Sequence, residues 1–108
     1  MSEPMARPSL RVTTDGDTTE AVLSGRLDAG VVRRLEEVLE RLLRDPPAVV
    51  RVDVREVRGL DLVTACALRR AGVRLRPPRR MIVVGARGQA GRLLADAGIT
   101  VLLAPRSR

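Results

Sequence analysis

Residues 48–72 decide the fold, and they read AVVRVDVREVRGLDLVTACALRRAG. The first part, residues 48–54, is rich in valine and predicts a β-strand apolar enough to lie in the middle of a sheet. Residues 62–71 predict a short helix. The side chains expected on its successive turns are Leu62, Ala65, Cys66, Leu68 and Arg69. Asp61 lies at the turn between the two elements, and loops of this kind often carry function.

The residues before this stretch predict a hairpin and a long amphipathic helix. Residues 10–14 and 19–25 are short β-branched runs that flank Asp15-Gly16-Asp17, a sequence typical of a hairpin turn. Residues 31–43 place apolar side chains three and four positions apart, as one stripe of a helix requires. The members of the stripe are Val31, Val32, Leu35, Val38, Leu39, Leu42 and Leu43. Asp45-Pro46-Pro47 is expected to end this helix.

The residues after it predict a strand, a helix and a last strand. Residues 81–85 are apolar throughout, residues 89–98 have helical spacing, and residues 99–104 form another apolar run. Gly98 is well placed to end the helix in the left-handed conformation.

The predicted order of elements is therefore β-β-α-β-α-β-α-β. Strands that alternate with helices indicate right-handed crossovers and parallel pairing, whereas the first hairpin adds an antiparallel edge. We expect a single α/β domain over residues 10–104, with a mixed, mostly parallel sheet on which the helices pack. Residues 1–9 are expected to form a disordered tail, and residues 105–108 a second tail.

The composition argues against an enzyme. The 108 residues contain no histidine and one cysteine, so the commonest general base and the commonest transition-metal ligand are missing. We expect no catalytic residue, no metal site and no cofactor. No run approaches the roughly 20 apolar residues that span a bilayer. The first 30 residues also lack a signal-peptide pattern, so we expect a cytoplasmic protein with no membrane insertion.

The positive charge is concentrated in the second half of the chain. Residues 1–45 carry 7 arginines and 9 acids, whereas residues 46–108 carry 13 arginines and 4 acids. Arginine without lysine is typical of a GC-rich genome, but it also permits an anionic partner. Because the chain has no aromatic residue, a nucleic acid could not stack its bases on it. Salt-sensitive binding to a nucleic-acid backbone through the basic half remains open.

Two further stretches resemble sites of chemistry. Gly85, Gly88 and Gly91 follow a strand and open a helix, but their GxxGxxG spacing differs from the dinucleotide fingerprint GxGxxG. Small residues that allow a helix to pack closely on a sheet are the better explanation. Cys66 is expected to be a small buried side chain, because no histidine or second cysteine could activate its thiol. The candidate anion-binding residues are Arg79, Arg80 and, beside a helix N-terminus, Arg87.

Three segments resemble the STAS domain, the module of sulfate transporters and anti-sigma-factor antagonists. Residues 22–43, VLSGRLDAGVVRRLEEVLERLL, are similar to the strand, Gly-x-Leu-Asp motif and amphipathic helix that open this domain. Residues 49–61, VVRVDVREVRGLD, resemble its central strand. Residues 91–103, GRLLADAGITVLL, look like its closing helix and strand. The resemblance covers residues 10–103 and implies a protein-interaction module without catalytic activity.

The resemblance also suggests why hydrocarbon side chains follow Asp61. In the antagonist branch of the family, the Asp precedes Ser-Ser-Gly or Ser-Thr-Gly, and a partner kinase phosphorylates the first hydroxyl. This chain has Leu62, Val63 and Thr64 at those positions, so no phosphoacceptor remains at the usual site. The resemblance implies that the partner docks on Asp28 and on the turn from Asp61 to Thr64. From the residues alone, Asp61 could equally cap the helix while Leu62 and Val63 pack inward.

Three functions remain for such a chain. The first is an anti-sigma-factor antagonist that binds a kinase-type anti-sigma factor or related regulator and is not switched by phosphorylation. The second is the accessory STAS subunit of a lipid-transport ABC system, although that branch often has Thr where this chain has Leu62. The third is an arginine-rich binder of nucleic acids or anions. The arginines available to it are Arg69, Arg70, Arg74, Arg76, Arg79 and Arg80.

Overall fold

The computed structural model describes residues 9–103, in which strands and helices alternate in the predicted order. The elements are β1 (Ser9–Asp15), β2 (Thr18–Gly25), α1 (Ala29–Arg44), β3 (Val49–Val57), α2 (Leu62–Gly72), β4 (Arg80–Val84), α3 (Gly88–Asp96) and β5 (Thr100–Leu102). The tails predicted at 1–9 and 105–108 lie outside the described residues, except that Ser9 begins β1. Ala104, predicted to end the last strand, also lies outside them.

The five strands form one sheet in the order β1-β2-β3-β4-β5. β1 pairs with β2 in an antiparallel sense, and every later neighbour is parallel. Each crossover steps to the next strand in the same direction, and because such crossovers are right-handed, all three helices lie on one face of the sheet. α2 contacts both α1 and α3 and is therefore the middle helix. The predicted mixed sheet, antiparallel edge and central strand are confirmed.

The core lies between the sheet and the helix layer and is aliphatic. Side chains of β2 alternate between buried and half-buried, as expected of a strand covered on one face. Each helix and each of the three middle strands contributes a side chain with 0 % exposure. These six side chains are Leu35, Leu68 and Leu94 from the helices and Leu23, Val52 and Val83 from the strands. Burying a side chain of this size contributes about 1.5–3 kcal/mol, so the interior holds the layers together without aromatic residues.

The last strand is shorter than predicted because the preceding helix ends in a defined cap. Gly98 has a positive φ of 86° and donates its N–H to Ala95 O at 3.0 Å, while Ile99 donates to Leu94 O at 3.1 Å. This pair of bonds is the Schellman motif, and it confirms Gly98 as the C-terminal cap. Ile99 is buried beneath the helix end and therefore precedes the strand, which begins at Thr100.

α2 buries two of the side chains predicted on one face, Ala65 and Leu68, but not the others. The buried side chains are Thr64, Ala65, Ala67, Leu68 and Ala71. Leu62 and Arg69 are exposed and Cys66 is half-buried, so the prediction of a fully buried Cys66 is wrong. Small side chains face inward because α2 packs between two other helices. Since alanine and leucine are both apolar, spacing alone could not distinguish the two faces.

Candidate functional site

Three loops meet at the edge of the sheet where β2, β3 and β4 end. They are residues 26–28, 58–61 and 85–87, and each leads into the N-terminus of a helix. The first two loops are joined by a hydrogen bond of 3.0 Å from Arg58 N–H to Gly25 O. The carboxyl ends of parallel strands gather loops in this way, and ligands commonly bind there. We call these three loops, with the first turn of α2, the carboxyl edge.

Asp28 and Asp61 occupy equivalent positions at this edge. Asp28 Oδ1 accepts the N–H of Val31 at 2.9 Å, and Asp61 Oδ1 accepts the N–H of Thr64 at 2.8 Å. Both residues are therefore N-caps, each of which typically stabilises a protein by about 1 kcal/mol. The alternative in which Asp61 caps the helix is confirmed, and both aspartates remain exposed to solvent.

Leu62 and Val63 point outward from the first turn of α2. Their exposures are 45 % and 70 %, so the alternative in which they pack inward is wrong. The inward positions of this turn are taken by Thr64 and Ala65, both with 0 % exposure. Two large neighbouring apolar side chains therefore face solvent directly beside the Asp61 cap.

Thr64 was predicted to contact the partner, but it cannot be part of this surface because it is buried. Its backbone N–H is held by Asp61, and its Oγ1 has no hydrogen-bond partner among residues 9–103. An unpaired buried hydroxyl costs about 1–3 kcal/mol. The reason for the error is geometrical: one helical step of 100° separates an exposed Val63 from a Thr64 that faces the core.

The candidate anion-binding arginines do not form one site. Arg80 begins β4 and Arg87 follows its other end, so the length of the strand separates them. Arg79 donates its Nε–H to Pro46 O at 3.0 Å. The arginine surface predicted on α2 is also partly engaged. Arg70 pairs with Glu36 at 3.2 Å and Arg74 with Glu40 at 3.0 Å, which ties α2 to α1.

A shallow cavity of about 350 Å³ lies at the carboxyl edge between the second and third loops. Its lining residues are Val54, Arg55, Val57, Gly59, Leu60, Gly85, Arg87 and Gly88. The valines give it an apolar floor, and Arg87 lies at the N-cap of α3 without making a side-chain cap hydrogen bond. Of the glycines predicted to ease packing, Gly91 does so, since a Cβ there would lie 2.6 Å from Ala86 O, whereas a Cβ on Gly88 would meet nothing within 4 Å.

β3 contains a β-bulge beside this cavity, which was not predicted from the sequence. Between Val22 and Ser24 of β2, the register on β3 advances from Asp53 to Glu56, one residue more than on β2. Asp53 Oδ1 accepts the N–H of Arg55 at 3.0 Å, and its Oδ2 accepts Arg55 Nη2–H at 2.8 Å. The buried carboxylate thus binds the backbone and side chain of the bulged residue. The only signal in the sequence was a charged Asp and Arg inside a valine-rich strand.

The same contacts determine the charge state of Asp53. Burial raises the pKa of its carboxyl, but the hydrogen bonds from the side chain and N–H of Arg55, with the charges of Arg55 and Arg51, outweigh that effect. The net pKa lies below the ordinary value of 3.8, so Asp53 is ionised at neutral pH. Gly85 makes room for the bulge, since a Cβ there would lie 2.7 Å from Arg55 Cγ.

Within residues 9–103, no group of three or more His, Cys, Asp or Glu side chains could hold a metal ion. No helix in this range is long and apolar enough to cross a membrane.

Comparisons with known proteins agree on the fold. No family model matches the sequence, and a search of curated proteins finds no match. An anti-sigma factor antagonist from Mycobacterium paratuberculosis is similar in structure, with a TM-score of 0.72, 22 % identity, and coverage of 94 % of this chain and 90 % of that one. The anti-sigma factor antagonist SpoIIAA in its unphosphorylated form is also similar, with a TM-score of 0.58 and 14 % identity. The match covers 91 % of this chain and 88 % of that one. A protein from Shewanella loihica with a SpoIIAA-like fold has a TM-score of 0.55 and 16 % identity. The match covers 96 % of this chain and 90 % of that one.

The chain therefore has a STAS-like fold, which it shares with these anti-sigma factor antagonists. The identities are low enough that these similarities establish the fold alone.

Proposed function

We propose that this protein is a non-catalytic binding module of the anti-sigma-factor-antagonist type. It docks a kinase-type anti-sigma factor in the cytoplasm and thereby regulates transcription. The observation that carries this proposal is the exposed apolar pair Leu62 and Val63 at the first turn of α2, between the capping Asp61 and the buried Thr64.

The physical support is the character of this surface. An exposed apolar pair beside charged residues has the pattern of a protein interface, in which an apolar centre is surrounded by a polar rim. Asp28 and Asp61 use one carboxylate oxygen each for capping, and both remain exposed beside it. No catalytic role is assigned to any residue, and no cofactor or metal is required.

The identity of residue 62 determines how the module is regulated. A phosphate at the N-terminus of α2 would add about −1.5 to −2 charges beside Asp61 and repel a partner that binds an apolar surface. Leu62 has no hydroxyl that a kinase could modify. We therefore propose that the docking surface stays competent to bind at all times, unlike that of an antagonist with serine at this position.

Phosphorylation tests the regulatory part of the proposal. The wild type should show no change in mass after incubation with ATP and the kinase-type anti-sigma factor encoded nearest to its gene. Leu62→Ser should gain the mass of one phosphate, because its hydroxyl would lie at the helix N-terminus. Val63→Ser is the matched control and should remain unmodified. Phosphorylation of the wild type, at Thr64 or elsewhere, would overturn the regulatory proposal.

Binding tests the docking part. Leu62→Asp should weaken binding to the same anti-sigma factor by about 1–3 kcal/mol, because it places a charge against an apolar contact. Val73→Asp is the matched control: Val73 is 57 % exposed at the other end of α2 and should not affect binding. Isothermal titration calorimetry measures the affinity of each variant for the anti-sigma factor. Equal affinities for the two variants would exclude this turn as the docking site.

A further inference from the structure

The carboxyl edge carries one exposed arginine in each of its three loops, namely Arg26, Arg58 and Arg87. We call these three residues the arginine rim. We propose that the rim selects an acidic protein partner, whose Asp and Glu side chains contact the arginines while its apolar residues cover Leu62 and Val63. This inference rests on the proposed function and specifies the chemistry of the partner.

The rim is continuous along the edge. Gly25 and Val57 are register partners at the ends of β2 and β3, so the residues that follow them, Arg26 and Arg58, are neighbours. The cavity at this edge is lined on one side by Gly59 and Leu60 and on the other by Arg87. The second loop therefore connects all three arginines, and its helical continuation is the turn that exposes Leu62.

None of the rim arginines takes part in an ion pair within the described residues. Four ion pairs occur within residues 9–103, and their cations are Arg51, Arg55, Arg70 and Arg74. Nearby acids compensate the rim only in part, because Asp28 and Asp61 accept hydrogen bonds from helix N-termini. The N-terminus of α3, which has no side-chain cap, also faces this edge and adds about half a positive charge. The edge therefore attracts negative charge.

The surface favours a protein over a nucleic acid. A phosphate backbone offers no apolar group to cover Leu62 and Val63, whereas a protein does. Protein interfaces combine these elements, since arginine is enriched in them and apolar side chains fill their centres. Complementary charge on such a rim mainly accelerates association.

Association kinetics with the purified anti-sigma factor test this inference. The variant Arg26→Gln/Arg58→Gln/Arg87→Gln should associate about tenfold more slowly than wild type at low ionic strength. High salt should abolish the difference. The matched control is Arg33→Gln/Arg41→Gln/Arg44→Gln, which removes the same charge from the exposed face of α1 and should behave as wild type. Equal rates for the two triple variants would overturn the role of the rim.

A second measurement does not depend on the anti-sigma factor. A poly-glutamate peptide should shift the amide NMR signals of residues 26–28, 58–63 and 87–88 in wild type but not in the rim variant. Shifts confined to other surfaces would overturn the inference, as would tighter binding of duplex DNA to the same residues. If the anti-sigma factor fails to bind wild type while poly-glutamate maps to the rim, the proposed function fails and the acidic-partner surface stands.

Discussion

Asp61 and Leu62 are neighbours in the chain with separate physical roles. Asp61 stabilises α2 by accepting the N–H of Thr64, whereas Leu62 exposes 45 % of its surface to solvent. The same division occurs at α1, where Asp28 caps the helix and Arg26 projects from the loop before it. At this edge of the sheet, capping residues fix the backbone while their neighbours remain available for binding.

We predict that Asp53 contributes to stability in a pH-dependent way, because its carboxylate binds the bulged residue Arg55. A carboxyl whose pKa is lowered by folding stabilises the fold above its ordinary pKa of 3.8, and this stability is lost as the pH falls through the lower folded pKa. Asp53→Asn should therefore lower the free energy of unfolding at neutral pH, by about 1.5–3 kcal/mol. The difference from wild type should shrink below about pH 4.

Urea unfolding followed by circular dichroism at several pH values measures this effect. Arg55→Gln removes the same ion pair from the other side. Its free energy of unfolding should therefore also fall less steeply with decreasing pH than that of wild type. Parallel curves for wild type and Asp53→Asn across the acid range would mean that the pair contributes no stability.

At the scale of elements, the distance between a helix and its neighbouring loop depends on single glycines. Gly91 lies in α3, and a Cβ there would meet Ala86 O at 2.6 Å and Ala86 C at 3.1 Å. The approach is to backbone, which cannot rotate away as a side chain can. The third loop of the carboxyl edge therefore packs against α3 only because residue 91 has no side chain.

We predict that Gly91→Ala lowers the free energy of unfolding by about 1–3 kcal/mol, the usual cost of overpacking. Gly30→Ala is the matched control in α1, where the added Cβ would meet Asp28 Oδ1 at 3.4 Å. Removing a helical glycine from an open position should stabilise the protein by up to about 1 kcal/mol. Urea denaturation distinguishes the two variants. Similar stabilities would show that the third loop can move away from α3 without cost.

The helix layer is a second feature at this scale. Glu36–Arg70 and Glu40–Arg74 link α1 to α2, but each partner is about half exposed, with values between 48 % and 63 %. Exposed ion pairs contribute about 0–1 kcal/mol, so these pairs orient the helices more than they stabilise them. The leucines beneath them hold the layer in place.

For the whole molecule, the absence of Phe, Tyr and Trp determines its optical properties. We predict almost no absorbance near 280 nm for the purified protein, because Trp and Tyr are absent and its single cysteine cannot form an intramolecular disulfide. A spectrum checks this directly. The same transparency makes copurified nucleic acid visible near 260 nm, so a band there after a high-salt wash would support the nucleic-acid alternative.

The net charge of +7 also belongs to the whole molecule. By itself it does not identify a partner, because arginines are spread over both ends of the sheet and several pair with acids of other elements. The positions of the unpaired charges carry more information about a partner than the net charge does. This is why the carboxyl edge, and not the basic half of the chain, forms the proposed binding surface.

Local features of the sequence determined the element order, the sheet class and the helix caps. The hairpin at Asp15-Gly16-Asp17, the apolar stripe of α1 and the left-handed Gly98 each depend on residues only a few positions apart. Such interactions are short-range, so they are visible in the chain before it folds. The absence of a hydroxyl from the side chain of residue 62 is likewise a property of the sequence alone.

Only the tertiary structure decided which side chains are exposed and which loops are neighbours. It turned Thr64 inward and Leu62 outward, and it gathered Arg26, Arg58 and Arg87 at one edge. These outcomes depend on packing between elements that are distant in the chain: Arg26 and Arg58 are 32 positions apart, and Arg58 and Arg87 are 29. An apolar residue at a helix terminus can satisfy the helix equally well on either face, so only the neighbouring helices and strands determine where it points.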